Sequence, residues 1–147
     1  MVPSEQSKKL SKILLVEDSN SIREIIKTLL TREGGFTVEA CATGHEAIEK
    51  AAVFKPQLFL LDVIMPEIDG PSTLTELRKI SALGEVPVIF VTGNTSKQDI
   101  KFYIELGAIG VIAKPFNFAG LPVFIKKLWD NFHRSHDKGA FSIAIFK

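Results

Sequence analysis

Five short apolar runs, each followed by a stretch with helical period, constrain this chain more than any other feature. The runs are ILLV (13–16), FTVEAC (36–41), LFLL (58–61), VPVIFV (86–91) and GVIA (110–113). All are rich in β-branched or large apolar residues and short enough to be strands. Four are nearly continuous, the pattern of strands covered on both faces of a parallel sheet, whereas FTVEAC alternates as an edge strand does. Between them, Ile22, Ile25, Ile26, Leu29 and Leu30 repeat at helical spacing before a Gly34-Gly35 stop. Ala47, Ile48, Ala51 and Ala52 repeat it more weakly. Leu74 with Leu77, and Ile100 with Tyr103 and Ile104, mark two more helices. Leu121, Phe124, Ile125, Leu128, Trp129 and Phe132 form the clearest stripe. Strand then helix, five times over, predicts right-handed crossovers and an α/β fold: a doubly wound five-stranded parallel sheet flanked by five helices.

With 147 residues, 46% of them hydrophobic and 24% charged, the chain supports one buried core. We expect a flexible lead over 1–11, one domain over 12–133 and a tail over 134–147. Eighteen basic and 17 acidic residues give a net charge of +1, which argues against a nucleic-acid surface. No run reaches the roughly 18 apolar residues of a membrane span, and no signal-type segment precedes Ile13. The expected location is cytoplasmic, with no membrane partner. Cys41 is the single cysteine, so no internal disulfide can form, and its apolar neighbours mark it as a small buried hydrophobe. His45, His133 and His136 read as solvated surface, and Trp129 and Phe132 as core.

In doubly wound sheets, sites form beyond the carboxyl ends of the strands. Polar residues stand just there: Glu17 and Asp18 after the first run, Asp62 after the third, Thr92 after the fourth, Lys114 after the fifth. Singly, each is weak evidence, since an acidic residue at a strand end is more often a helix cap or a solvated loop residue. Together they bring three carboxylates, a hydroxyl and an ammonium to one sheet edge. Three clustered carboxylates repel one another unless a cation sits among them. Oxygen ligands without nearby His or Cys favour a hard ion, and Mg²⁺ fits best. A carboxylate flanked by metal and lysine can attack a phosphoryl group whose charge the cations neutralise. Thr92 could then hydrogen-bond a phosphoryl oxygen on Asp62 and draw its loop inward, making a switch.

These residues resemble the receiver domain of two-component response regulators over roughly Lys12 to His133. The resemblance rests on VEDS (Glu17, Asp18), on LLDVIMPEIDG with its D-x-x-M-P-x-x-D-G form, on FVTG and on AKPF. The spacing agrees too: 44 positions from Asp18 to Asp62, 30 on to Thr92 and 22 on to Lys114. It implies the flavodoxin-like receiver fold, with Asp62 accepting a phosphoryl group from the phosphohistidine of a sensor histidine kinase or phosphotransfer protein. By the same resemblance Asp18 and Asp62, Glu17 through water, and the backbone carbonyl of Ile64 would hold Mg²⁺. Lys114 would bind the phosphoryl group ahead of a cis bond to Pro115, Thr92 would be the switch hydroxyl, Met65 and Pro66 would shape the acceptor's loop, and Gly70 would form its exit into the third helix. A downstream effector protein would read the face of the fourth and fifth helices. Such a chain is a signalling switch rather than an enzyme, catalysing only its own phosphoryl transfer and self-dephosphorylation.

Three departures stand out. Val111 occupies a position where many members carry Tyr or Phe, so output must use loop and helix repositioning, or Phe90 or Tyr103 must take over. Glu17 replaces the commoner Asp. Ile64 puts an apolar side chain where a polar one could position the attacking water, which predicts slow self-dephosphorylation. The segment GAFSIAIFK lies outside what a receiver requires; a disordered tail, the start of a linker to an effector domain, and a docking or homodimer-forming strand or helix extension all remain open. A pseudo-receiver that binds partners without phosphorylation is the alternative function. A phosphohydrolase would want a second Asp at the position of Ile64.

Overall fold

The computed structural model describes residues 9–134 and 144–147. Its strands are β1 (Lys12–Val16), β2 (Thr37–Cys41), β3 (Leu58–Asp62), β4 (Val88–Thr92), β5 (Ala108–Ala113) and β6 (Ala144–Phe146). Its helices are α1 (Asn20–Arg32), α2 (Gly44–Phe54), α3 (Gly70–Arg78), α4 (Lys97–Glu105) and α5 (Leu121–Arg134), the last preceded by a 3₁₀ turn at Phe118–Gly120. All six strands pair in parallel in the order β2-β1-β3-β4-β5-β6. Four of the five helix starts have a local cause. The side chains of Ser19, Thr43, Asp69 and Ser96 accept hydrogen bonds from backbone N–H groups two or three residues into α1, α2, α3 and α4.

Strand period decides which helices cover which face. Ile13, Leu15, Leu58, Leu60, Ile89, Val91 and Ile112 pack with Ile26 and Leu30 of α1 and with Ile125, Leu128 and Trp129 of α5. Their neighbours Leu14, Val16, Phe59, Leu61, Val88, Phe90 and Val111 pack with Ala47 and Ala51 of α2, Leu74 and Leu77 of α3, and Tyr103 of α4. Every residue of β3, β4 and β5 is buried, which is why these strands read as unbroken apolar runs. At the sheet's edge, β2 is only partly buried, from exposed Thr37 to buried Cys41.

The expected five strands become six. Ala144–Phe146 form β6, which pairs with β5 through Gly110–Ala144, Val111–Ile145 and Ile112–Phe146. This adds one more strand–helix–strand crossover, and it uses a segment whose β-prone composition would otherwise leave an apolar edge unpaired. Of the open readings for the tail, those for residues 135–143, and with them His136, lie outside the described residues. The lead also shortens. Residues 1–8 lie outside the described residues, but Leu10 is buried in the core, and Ser11 donates its N–H to Gln57 Oε1 at 2.7 Å and accepts from Thr37 N–H at 2.7 Å. A buried apolar side chain beside a residue tied to Gln57 and to the backbone of Thr37 is structure, so the packed chain begins before Lys12. Cys41 is fully buried, and burial pushes its thiol up to about 12, with Glu46 and Glu39 adding to the shift. His133 packs edge-on against Trp129, ring centroids 4.3 Å apart, at the end of α5.

Candidate functional site

β3 delivers Asp62 as its last residue rather than as the first residue of a loop. Two positions after Leu60, its side chain takes the phase of the α1/α5 face and is 4% exposed. Val63 N–H still bonds Val91 O at 2.9 Å, and Gly70 N–H closes the following loop on Val63 O at 2.8 Å. That closure requires glycine: a Cβ on Gly70 would lie 2.4 Å from Asp62 O and 2.9 Å from Val63 Cα. Within the loop, Met65 is buried and Ile64 is 65% exposed.

β1 ends one residue before Glu17, which is buried; Asp18 after it is exposed. Ser19 N–H donates to Glu17 Oε2 at 3.0 Å, and Arg23 Nη1 donates to Glu17 O at 2.8 Å while Nη2 donates to Asn20 Oδ1. β5 delivers Lys114, whose N–H bonds Thr92 O at 2.9 Å and whose bond to Pro115 is cis. Its ammonium donates to Asp62 Oδ2 at 3.1 Å and lies 3.3 Å from Glu17 Oε1.

The local charge does not balance on its own. One oxygen from each of Glu17, Asp18 and Asp62 lies within 4.8 Å of the others, so three carboxylates face the single Lys114 ammonium. Burial, then the Glu17 charge, push Asp62 up to about 7 although Lys114 pulls the other way. Burial draws Lys114 down, but Asp62 and Glu17 outweigh it and raise its pKa. Glu17 Oε1 is buried with no hydrogen bond, because Lys114 stands at ion-pair distance without the geometry for one. An oxygen-only donor set, an excess of negative charge and an orphaned buried carboxylate oxygen together fit a hard divalent cation.

Thr92 ends β4 two positions after Phe90, so its side chain faces α4. Oγ1 accepts from Asn94 N–H at 3.0 Å and lies 3.4 Å from Tyr103 Oη, which also donates to Asn94 O at 3.0 Å. The Tyr103 ring is buried against Phe90, centroids 5.3 Å apart. Of the two aromatics offered as substitutes at Val111, Tyr103 has the polar tip and reaches the hydroxyl; Phe90 backs it. The structure thus brings Glu17, Asp18, Asp62 and Lys114 into one cleft and places Thr92 at the end of the strand next to Asp62's, with its hydroxyl turned toward α4. The sequence reading missed Arg23, whose position on α1 carried no signal. Tyr103 had one: a lone tyrosine in an apolar stripe needs a partner for its hydroxyl.

Residues 13–126 match the family model for the response regulator receiver domain. The chain belongs to that family. This receiver domain is 41% identical over 119 residues to a transcriptional regulatory protein, a CpxR homolog, of Haemophilus influenzae, covering 81% of this chain and 50% of the relative. It is 38% identical over 117 residues to the probable transcriptional regulator ycf29 of Porphyra purpurea, covering 79% and 55%. The chain thus spans about half the length of the curated relatives it matches. Among solved structures it resembles the chemotaxis protein CheY4 of Vibrio cholerae, with a TM-score of 0.74 and 31% identity over 82% of this chain and 99% of that one. It also resembles the receiver domain of the sensor histidine kinase PA1611 of Pseudomonas aeruginosa, with a TM-score of 0.70 and 30% identity over 83% and 99%. That neighbour holds a magnesium ion coordinated in its active site cleft. No helix among the described residues is long and apolar enough to cross a membrane.

Proposed function

We propose that this receiver domain is a phosphorylation-dependent switch whose acceptor is Asp62. The observation that carries this reading is the contact of Lys114 Nζ with Asp62 Oδ2, at 3.1 Å, inside a cluster of three carboxylates. An Asp62 oxygen attacks the phosphorus of a phosphohistidine on a sensor histidine kinase or phosphotransfer protein. The P–N bond breaks, and its electron pair leaves with the imidazole nitrogen. Lys114 lies where its ammonium can neutralise charge on the transferred oxygens. Glu17, Asp18, Asp62 and the Ile64 carbonyl would hold Mg²⁺, which supplies further charge neutralisation when bound. The chain works as a switch rather than by turnover, and the exposed side chain of Ile64, unable to orient water, slows the loss of the phosphoryl group.

Output runs through Thr92. Turning Oγ1 toward a phosphoryl oxygen gives up its contact with Tyr103, so α4 feels the change through a residue it carries itself. α4 also exposes Phe102 and Ile104, and α5 exposes Val123, an apolar surface suited to an effector protein. These partners, like the phosphodonor, belong to the cytoplasm. A phosphorylation-independent pseudo-receiver would have no use for a Lys114–Asp62 contact beside an unbalanced acidic cluster. The deciding experiment is incubation with acetyl phosphate and Mg²⁺, read by intact mass. A phosphoryl adduct present in the wild type and absent in Asp62→Asn supports the switch; no adduct supports the pseudo-receiver, and continuous consumption of the donor supports a hydrolase.

A further inference from the structure

The sixth strand ends beside the strand that delivers Lys114. β6 runs parallel to β5, and Phe146 is level with Ile112, two residues before Lys114. Phe146 stacks on Phe124 of α5, centroids 4.8 Å apart, and its ring lies 6.3 Å from that of Phe116. Phe116 packs in turn on Phe118, at 4.7 Å. Opposite them, Gly120 leaves room for the Phe146 ring: an added Cβ would lie 3.3 Å from it. Lys114 therefore leaves the sheet on a turn whose third residue, Phe116, packs beside a ring from the far end of the chain.

A lysine side chain is long and flexible, so the place of its ammonium depends on the backbone it leaves from. Glu17 and Asp18 follow β1 and Asp62 ends β3; neither strand pairs with β6. We infer that Phe146 is a positioning residue for Lys114, holding the Lys114–Phe116 turn through its contact with Phe116 and thereby setting the ammonium against Asp62. This rests on the reading of Asp62 as acceptor. The carboxylates themselves need no such support, so losing the tail strand's hold on Lys114 slows phosphoryl transfer without weakening metal binding: an ammonium drawn off Asp62 and Glu17 leaves their charge to the cation.

The test uses the full chain and compares the rate of acetyl phosphate labelling, by intact mass, with Mg²⁺ affinity, by calorimetry. Phe146→Ala should label about tenfold more slowly, within the range that a misplaced catalytic group costs, with Mg²⁺ affinity undiminished. Phe146→Leu, which keeps apolar bulk, should recover most of the rate. Ile145→Ala, which trims a side chain 42% exposed on the same strand, should leave it unchanged. In a Lys114→Ala background, Phe146→Ala should slow labelling no further. An unchanged rate in Phe146→Ala, a parallel loss of Mg²⁺ affinity, an equal effect of Ile145→Ala, or a full additional loss in the Lys114→Ala background each overturns the inference while leaving Asp62 as acceptor. Absence of an adduct in the wild type overturns both.

Discussion

The hydroxyl of Tyr103 lies 3.4 Å from Oγ1 of Thr92 and donates to Asn94 O at 3.0 Å, tying α4 to the end of β4. Tyr103→Phe removes these bonds and keeps the ring on Phe90. It should cost about 1 kcal/mol of stability, the net worth of a buried hydrogen bond. It should leave acetyl phosphate labelling of Asp62 intact and blunt the response of α4 to it. Hydrogen exchange over residues 97–105, with and without beryllofluoride, reads this; an undiminished response in the variant would show that Tyr103 does not carry the signal.

The carboxyl of Asp62, ordinarily at 3.8, is pushed up to about 7 by burial and by the Glu17 charge. The folded state therefore holds this proton more tightly than the unfolded state. Stability from this group is fully present below about pH 4 and is lost as pH rises toward and through 7. Asp62→Asn should melt higher than the wild type at pH 8 without metal, by at least about 1 kcal/mol, or about 3 °C in a chain of this size. Added Mg²⁺ should raise the wild-type melting temperature and leave the variant nearly unmoved. Melting curves at pH 5 and 8 in EDTA test this, and equal pH dependence in the two proteins would contradict it.

Gly70 and Gly93 give a paired test of loop closure. A Cβ at Gly70 meets the backbone of Asp62 and Val63, whereas one at Gly93 meets nothing within 4 Å. Gly70→Ala should cost about 1–3 kcal/mol through backbone displacement and also weaken Mg²⁺ binding, because the displaced atoms belong to Asp62, a member of the carboxylate cluster. Gly93→Ala should be near neutral in urea denaturation. Equal midpoints for the two variants would refute this account of the loop.

Ile64 predicts a long-lived phosphoryl group. Ile64→Asn, which offers a hydrogen-bonding group at the mouth of the site, should shorten the lifetime of the adduct roughly tenfold, measured by intact mass after removal of the donor. A wild-type adduct that decays as fast as that of the variant would show that the side chain is not rate-determining.

Much of this fold was legible because burial on both faces writes itself as unbroken apolar runs, and because the polar residues ending those runs converge through topology alone. Asp62, Thr92 and Lys114 could be placed at one edge without knowing a single distance. The sixth strand was harder to read. AIF is three residues long, and its composition fits a free tail, a partner's edge or its own sheet equally well, so the choice depended on β5 having an open side. The partner of Thr92 was likewise undecided between Phe90 and Tyr103, since both lie on the same face and only the reach of a phenol across the β4–α4 junction separates them. Arg23 was invisible because its bond is to the carbonyl of Glu17, and backbone acceptors leave no mark on a sequence.

The two faces of the sheet are lined by different sets of helices, and odd and even positions of β3 belong to different faces. One consequence is metrological. Leu58 and Leu60 belong to the layer of α1 and α5, Phe59 and Leu61 to that of α2, α3 and α4, so the strand cannot advance by one residue without exchanging the contents of both layers. Asp62 is the next graduation on that ruler. The precision with which its oxygens meet Lys114 is calibrated by apolar side chains that never touch the cleft.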